Sequence, residues 1–392
     1  MGLALAAVIG VVFFLVAERA LLWYARKRFA LVIHVNGTRG KSTVTRMIHA
    51  MLRCRGMAVF GKTTGSAARL LMPDGREKPV LRFGPANIRE QRNIMIMCAF
   101  AGSRVRRQDR ALVFECNAVQ EELQYVCAKW LKPDITVITN VREDHVLELG
   151  TAEQAARIFA AAIPGNSALV TSESAFKDIW ETAAKQNNLR LYHINPLEAG
   201  ACVFPENAAC VFGVADFLEI DRAQALESTA RHKPDTGAFA VYSWKDNQRR
   251  VFFADARAAN DIESTNRLAT AALRITPPGA RRILLLVNRE DRPDRTELFM
   301  RYIMDKYAES CFDEYLCLGH TPFAFRRAVK RRNIYCRFFS GIKALTCALT
   351  RTLPESGEHI YIFAVGNFGG KGRLLSRWLE AKRREPGFEV LQ

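Results

Sequence analysis

The sequence predicts an α/β fold: an apolar N-terminal helix, a central domain on a mostly parallel sheet, and a C-terminal Rossmann-like α/β domain. Three observations carry this. Apolar segments of strand length alternate with amphipathic segments of helix length along most of the chain. A glycine-bearing loop joins the first strand to the helix after it. The residues from Met1 to Ala17 carry no side-chain charge. A chain of 392 residues has room for about two or three domains. Hydrophobic residues at 49% and charged residues at 25% suit a globular protein with a full core. They exclude intrinsic disorder, a collagen-like repeat and a small disulfide scaffold. The formal net charge of +17 favours anionic partners: nucleotide, nucleic acid, anionic lipid or an acidic polymer.

The apolar run is interrupted by Glu18 and Arg19, resumes over Ala20–Tyr24, and closes on Arg26, Lys27 and Arg28. As a helix its uncharged part spans about 25 Å, slightly less than a ~30 Å hydrocarbon core. Snorkelling of Arg19 and inclusion of Leu21–Tyr24 make up the difference. Trp23 and Tyr24 stand where an interfacial aromatic belt belongs. A cleaved signal peptide has its positive charges before the apolar run; here they follow it. Residues 1–28 are therefore expected to be a retained single-helix anchor in the cell membrane, with the N-terminus outside and the remaining domains cytoplasmic. The alternative is a helix buried against this protein or a partner subunit.

Phe29–Val35 reads as a short buried strand, Asn36–Ser42 as a turn, and Thr43–Arg55 as a helix with Val44, Met47, Ile48, Met51 and Leu52 on one face. Ala111–Phe114 and Ile135–Thr139 are apolar throughout, as parallel strands are. Val119–Trp130, Ala152–Ala162 and Glu206–Leu218 have helical spacing. The polar stretch Arg231–Thr236, with Pro234 and Gly237, marks a boundary, so the expected domains are 29–232 and 233–392. Alternation then restarts. Val251–Ala254, Arg282–Val287, Glu314–Leu318 and Ile360–Val365 read as strands. Ile262–Leu273, Thr296–Tyr307, Phe323–Lys330, Ile342–Thr352 and Leu374–Lys382 read as helices. The ten cysteines show no Cys-x-x-Cys spacing and lie in apolar stretches. They read as small buried hydrophobes in a reducing compartment, not as a zinc or disulfide framework.

Chemistry concentrates in Gly37-Thr38-Arg39-Gly40-Lys41-Ser42-Thr43. The glycines let backbone N–H groups approach phosphate, and the helix N-terminus adds a favourable dipole. Lys41 reaches the β- and γ-phosphates, and the hydroxyl of Ser42 or Thr43 ligates Mg²⁺. Val35 stands where the full phosphate-loop pattern has a further glycine. Glu115, at a strand end, is placed to bind Mg²⁺ directly or through water, or is a solvated carboxylate. Asp144-His145 follows the next strand, and His145 is a candidate ligand for a second metal or for a substrate carboxylate, or is a structural histidine. Gly61-Lys62-Thr63-Thr64-Gly65 suits an anion or is a plain turn. These features make the central domain a P-loop ATPase domain.

Val35–Thr43, then Lys62–Gly65, then Ile138–His145 resemble, in order, the motifs of the Mur ligase superfamily, which includes the peptidoglycan amino-acid ligases and folylpolyglutamate synthetase. Pro205-Glu206-Asn207 is similar to the segment that holds an adenine-contacting Asn. Asp255-Ala256 through Asn260-Asp261 resembles the motif opening the C-terminal domain, without its His and Pro. An apolar segment directly before the phosphate loop and the phrase Arg82–Gln91 resemble the ligase subunits of capsular poly-γ-glutamate synthases. The resemblance implies an ATP- and Mg²⁺-dependent, ADP-forming ligase that activates a carboxylate as acyl phosphate and joins glutamate to poly-γ-glutamate. It implies catalytic roles for Lys41, Glu115 and His145, and metal ligation by Ser42, Thr43, Glu115 and His145. It assigns the nucleotide to residues 37–43, Asn207 and Asp255, the last two holding the adenosine end from two domains that close together. Partner membrane subunits and an oligomer are implied too. No lysine lies between Pro133 and Phe176, so no carbamoylated lysine is expected.

An anionic polymer gives the basic surplus a purpose. Arg82, Arg89, Arg92, Arg104, Arg106 and Arg107 form a dense run whose forks match carboxylates, or else a solvated loop or a face toward anionic lipid. Thr63, Thr64 and Arg142 are further substrate candidates, as are Arg289, Arg292 and Arg295 after a strand of the last domain. Gly366–Gly372 is a candidate anion cradle or a tight turn. The rivals are a membrane-tethered ATPase acting on nucleic acid and a folylpolyglutamate-synthetase-like ligase. No aromatic-plus-basic run of the kind that stacks bases is present, so nucleic acid is not expected as a partner.

Overall fold

A computed structural model describes residues 2–65, 68–82, 87–102, 105–142, 146–199, 204–235, 237–246, 249–259, 261–351 and 359–391. The chain forms two units, Met1–Asp235 and Thr236–Gln392.

The first unit runs α1 (Gly2–Lys27), β1 (Leu31–Asn36), α2 (Lys41–Cys54), β2 (Ala58–Thr63), β3 (Arg69–Leu71), β4 (Glu77–Pro79), α3 (Arg89–Ala101), β5 (Arg110–Glu115), α4 (Glu121–Leu131) and β6 (Ile135–Ile138). It continues with α5 (Val146–Leu149), α6 (Ala152–Ala161), β7 (Ala168–Thr171), α7 (Lys177–Gln186), β8 (Arg190–His193), α8 (Pro205–Phe217) and α9 (Arg222–Thr229). Its 8-stranded sheet has the order β4-β3-β2-β5-β1-β6-β7-β8. The strands from β2 to β8 in that order are parallel, and β3 and β4 add antiparallel to one edge. β1 is flanked by β5 and β6, while the chain leaves β1 for β2. That change of direction opens a crevice at the carboxyl end of β1, where α/β sheets bind ligands. Apolar cores fill both faces of the sheet: Val44, Ile48, Met51 and Val211 on one side, Phe60, Met95, Phe114 and Leu131 on the other. β1, β5, β6 and β7 are buried along their whole length, so they read as near-continuous apolar runs.

The helix α1 has two parts. Its early residues stand in the open, with Phe13 73% and Phe14 65% exposed. Residues Ala4–Lys27 are long and apolar enough to cross a membrane. From Glu18 onward the helix is tied to the rest of the unit. Glu18 pairs with Arg92 of α3. Tyr24 meets Phe100, Ala25 is fully buried, and Arg26 bonds Asp134 at 2.8 Å.

The arginine-dense stretch contains a helix, α3, that charge alone conceals. Its Gln91, Ile94, Met95, Cys98 and Ala99 are buried along one face, and the arginines occupy the other. Phe83–Ala86 and Arg104 lie outside the described residues.

The second unit comprises β9 (Ala240–Asp246), β10 (Arg249–Asp255), α10 (Ile262–Ile275), β11 (Arg281–Val287), α11 (Pro293–Ala308), β12 (Glu314–Leu318), α12 (Phe323–Arg331), β13 (Cys336–Phe339), α13 (Ile342–Arg351), β14 (Ile360–Gly366), α14 (Lys371–Lys382) and β15 (Glu389–Val390). Its 7-stranded sheet is ordered β13-β12-β11-β14-β10-β9-β15. β13 to β10 are parallel and β9 and β15 antiparallel. This is the Rossmann-like half that the second alternation predicts.

Candidate active site

The phosphate loop leaves β1 and enters α2 through two left-handed glycines, Gly37 (φ +119°) and Gly40 (φ +78°). A side chain at either would strain the backbone. It would also collide: a Cβ on Gly37 would lie 2.4 Å from Thr139 Oγ1, and one on Gly40 2.3 Å from Asn207 Oδ1. The strand next door holds the loop. Thr38 N donates to the Asn140 carbonyl and Arg39 N to Asn140 Oδ1, both at 2.9 Å. Thr139 Oγ1 donates to the Arg39 carbonyl at 2.5 Å. Lys41 Nζ folds back over the loop and bonds the carbonyls of Gly37 (2.6 Å) and Thr38 (3.1 Å). Lys41, Ser42 and Thr43 open α2, and first-turn amides have no acceptor within their own helix. The loop therefore offers an ammonium, unspent amides and a helix dipole to one small volume, which is what a polyphosphate needs.

Glu115 ends β5 beside β1 and is only 3% exposed. Its carboxylate accepts from Ser42 Oγ (2.7 Å), Thr64 N (2.6 Å) and Thr64 Oγ1 (2.5 Å). Parallel pairing of β5 with both β1 and β2 brings the phosphate loop, the Glu and the Thr64 turn together. Hydroxyl and carboxylate oxygens make a hard donor set that suits Mg²⁺. Thr63 is fully buried and its Oγ1 has no partner among the described residues.

Asn207, at the start of α8, is buried against Gly40, and its Oδ1 has no partner among the described residues. Arg142 is tied to the loop through its backbone: its N donates to Thr38 Oγ1 at 3.1 Å, and its carbonyl accepts from that hydroxyl at 3.3 Å. His145 and Asp144 lie outside the described residues.

Sequence reasoning missed a buried chain behind the Glu. Lys62 is fully buried, bonding Glu90 at 3.0 Å and Gln91 Oε1 at 3.2 Å. Gln91 Nε2 in turn donates to the Glu115 carbonyl at 2.8 Å. Arg82 forks onto the same Glu90 at 2.6 and 3.0 Å. A lysine flanked by small polar residues gave only the hint of an anion loop. Of the remaining arginines, Arg89 is exposed at the start of α3, Arg92 is held by Glu18, and Arg106 bonds Asp109 at 3.0 Å.

In the second unit, Asp255 ends β10 with both oxygens engaged by the fully buried Arg257, at 2.7 and 2.6 Å. Arg257 also donates to the Gly372 carbonyl at 2.5 Å, so the pair anchors the Gly366–Gly372 turn. Arg289 lies along Gly369 and Gly370 of that turn and pairs with Asp291. Arg292 caps α11. Asn288, 2% exposed, has neither amide atom partnered among the described residues, and no motif pointed to it.

Residues 35–203 match the Mur ligase middle domain. Residues 241–382 match the poly-gamma-glutamate synthase CapB C-terminal domain. The chain is 31% identical to the capsule biosynthesis protein CapB of Bacillus anthracis over 88% of this chain and 75% of that protein. It is likewise 31% identical to the PGA synthase CapB of Bacillus subtilis strain 168, over 88% of each. A solved folylpolyglutamate synthase from Thermotoga maritima shares the fold, with a TM-score of 0.63 at 15% identity over 96% of this chain and 97% of that one. A bifunctional folylpolyglutamate synthase/dihydrofolate synthase solved with Mn, AMPPNP and L-glutamate also aligns, with a TM-score of 0.63 at 14% identity over 92% of this chain and 93% of that one. Fold and phosphate loop together define an ATP-dependent, amide-forming ligase of the Mur type. Within that class, the chain belongs to the CapB family of poly-γ-glutamate synthases.

Proposed function

We propose that this chain joins glutamate to a growing poly-γ-glutamate chain at the cytoplasmic face of the cell membrane. It uses Mg·ATP and works within an oligomeric assembly with other membrane subunits. The reading rests most on one observation: the Glu115 carboxylate meets the Ser42 hydroxyl of the phosphate loop at 2.7 Å. In the reaction, a carboxylate oxygen of the acceptor attacks the γ-phosphorus and ADP leaves. The neutral incoming amine then attacks the acyl phosphate carbon, the C–O bond breaks with its electron pair on the departing phosphate, and the nitrogen gives up one proton to that phosphate or to water. Ser42 or Thr43 and Glu115 would hold the cation, which would supply charge neutralisation on the transferring phosphoryl group. Lys41 turns from the Gly37 and Thr38 carbonyls onto the phosphates. The left-handed glycines keep side chains out of their path. Thr64 orients Glu115 through two hydrogen bonds. Asn207 is assigned to the nucleotide, as is Asp255 in its own unit. His145 is assigned to metal or to the acceptor carboxylate. Thr63, Arg82, Arg89 and Arg142, and in the second unit Arg289 and Arg292, are assigned to the anionic substrate. The test is ADP release by the full-length protein in membranes or detergent, with and without glutamate. Release should require glutamate and yield polymer, and Lys41→Ala should lower it by about a hundredfold or more while the circular dichroism is unchanged. Stimulation by DNA or RNA in place of glutamate overturns the proposal.

A further inference from the structure

We infer that His34, Cys116 and Cys127 form a binding site for one thiophilic d¹⁰ cation, zinc, behind the phosphate loop. The three residues come from different elements: His34 from β1, Cys116 from the residue after β5, and Cys127 from α4. All are buried, at 2%, 2% and 0% exposure. One ligand atom from each lies within 4.8 Å of the other two. Cys127 Sγ stands 3.5 Å from His34 Nε2. Zinc with Zn–S of about 2.3 Å and Zn–N of about 2.0–2.1 Å in a tetrahedron has an S···N edge of about 3.5 Å and an S···S edge of about 3.8 Å. The Cys127–His34 pair already stands at the spacing that a single ion bridges, and the Cys116 ligand atom lies within 4.8 Å of both.

The scaffold makes the grouping rigid. β1 and β5 pair in parallel with Val35 opposite Glu115, and Cys116 N donates to the Val35 carbonyl at 2.8 Å. Charge favours the ion as well. Zinc with two thiolates and a neutral imidazole is a neutral unit, which a buried site accepts more readily than an isolated charge. The nearby buried Lys62 is already matched by Glu90. Gln124 borders the site: its Oε1 accepts from Asn36 Nδ2 at 2.8 Å and its Nε2 donates to the Ala118 carbonyl at 2.7 Å, while the 3.4 Å bond it accepts from the Cys116 thiol ends when that sulfur binds as thiolate. An ion here would pin the strand that enters the phosphate loop and the exit of the strand that carries Glu115. Its role is to position both, and the site stands independently of the ligase reading.

The test is elemental analysis of the full-length protein in detergent, purified with reductant and dialysed against excess Mg²⁺. Zinc should remain at about one equivalent per chain. Cobalt loaded in its place should show tetrahedral ligand-field bands with thiolate-to-metal absorption. Cys116→Ala combined with Cys127→Ala should lower bound zinc by at least about tenfold. If that variant fails to fold, the wild-type cobalt spectrum decides alone, and a spectrum without thiolate absorption overturns the site. Zinc-loaded wild type that emerges metal-free, or metal content that survives the double substitution, does the same. Retention of Cu⁺ but not Zn²⁺ overturns the choice of zinc.

Discussion

Replacing Glu115 with glutamine tests the centre of the proposed chemistry with the least change of shape. The carboxylate receives hydrogen bonds from Ser42 Oγ at 2.7 Å, Thr64 N at 2.6 Å and Thr64 Oγ1 at 2.5 Å. Each bond to a charged acceptor contributes about 1.5–3 kcal/mol, and each to a neutral one about 0.5–1.5. Neutralising the group thus forfeits about 3–4 kcal/mol over the cluster. Burial at 3% exposure works the other way, because an ionised group in such a place carries a desolvation penalty of several kcal/mol. The glutamine oxygen can keep Ser42 and Thr64 N, while Thr64 Oγ1 rotates to accept from the new amide. Stability should therefore change by no more than about 2 kcal/mol in either direction. Catalysis should not be spared. An amide is a poor ligand for a hard cation, and losing one electrostatic contact to the transferring phosphoryl costs about 3–4 kcal/mol, or about 10²–10³ in kcat. The assay is glutamate-dependent ADP release across a Mg²⁺ titration, run beside thermal unfolding. The variant should melt near the wild type, turn over far more slowly, and need more Mg²⁺ for half-saturation. A variant with kcat within about threefold of wild type and an unshifted Mg²⁺ requirement would refute the role given to this carboxylate.

Gly40→Ala puts a Cβ 2.3 Å from Asn207 Oδ1 at φ +78°; it should destabilise the loop by about 1–2 kcal/mol and raise the Kd for ATP, as measured by calorimetry. His49 is buried beside Arg53, and burial first, then that charge, lowers its pKa from 6.5 to about 4. The unfolded chain therefore binds the extra proton between about pH 6.5 and 4, and stability falls with pH through that window by up to about 3 kcal/mol. His49→Gln, which can still reach the Val59 carbonyl, should flatten that part of a denaturation profile; an unchanged slope would refute it. Deleting residues 1–17 should release folded protein from membranes, whereas deleting 1–28 also removes the buried Ala25 and the Arg26–Asp134 pair and should lower the melting temperature. A 1–17 deletion that still sediments with membranes, with no other subunit present, would refute the anchor.

The sequence shows β1, β5, β6 and the phosphate loop plainly, because strands buried on both faces are unbroken apolar runs and the loop is a local motif. It conceals α3, whose first turn is polar (Arg89, Glu90, Arg92 and Asn93) and whose apolar face begins only at Ile94. It conceals β8 as well, since Arg190–His193 is half-exposed at the sheet edge and carries no apolar run. Glu115 is legible as a strand-end carboxylate. Its bonds to Thr64 are not, because they depend on β2 being the neighbour of β5, a fact of topology. The same holds for Cys116 and Cys127. Neither sits in a Cys-x-x-Cys motif, and only the pairing of β5 with β1 delivers His34 to them.

Unpartnered buried polar atoms sharpen this picture when they are weighed by place. A buried donor or acceptor without a partner costs about 1–3 kcal/mol, so such atoms are uncommon and need a reason. They are not sufficient markers on their own: the hydroxyls of Tyr315 and Tyr361 are orphaned within the second unit, and no loop chemistry accompanies them. Asn207 Oδ1 and Thr63 Oγ1 differ in their place: the first lies against Gly40 of the phosphate loop, and the second precedes Thr64, which bonds Glu115. Asn288 shows the same coincidence in its own sheet. It follows β11 at the carboxyl end, beside the Gly366 turn that Arg257 and Arg289 brace, and both of its amide atoms are unsatisfied. Unmet hydrogen-bonding capacity at the carboxyl ends of parallel strands is a cost that a ligand can remove on arrival. That makes these three side chains stronger candidates for substrate contact than the exposed arginines that first draw the eye.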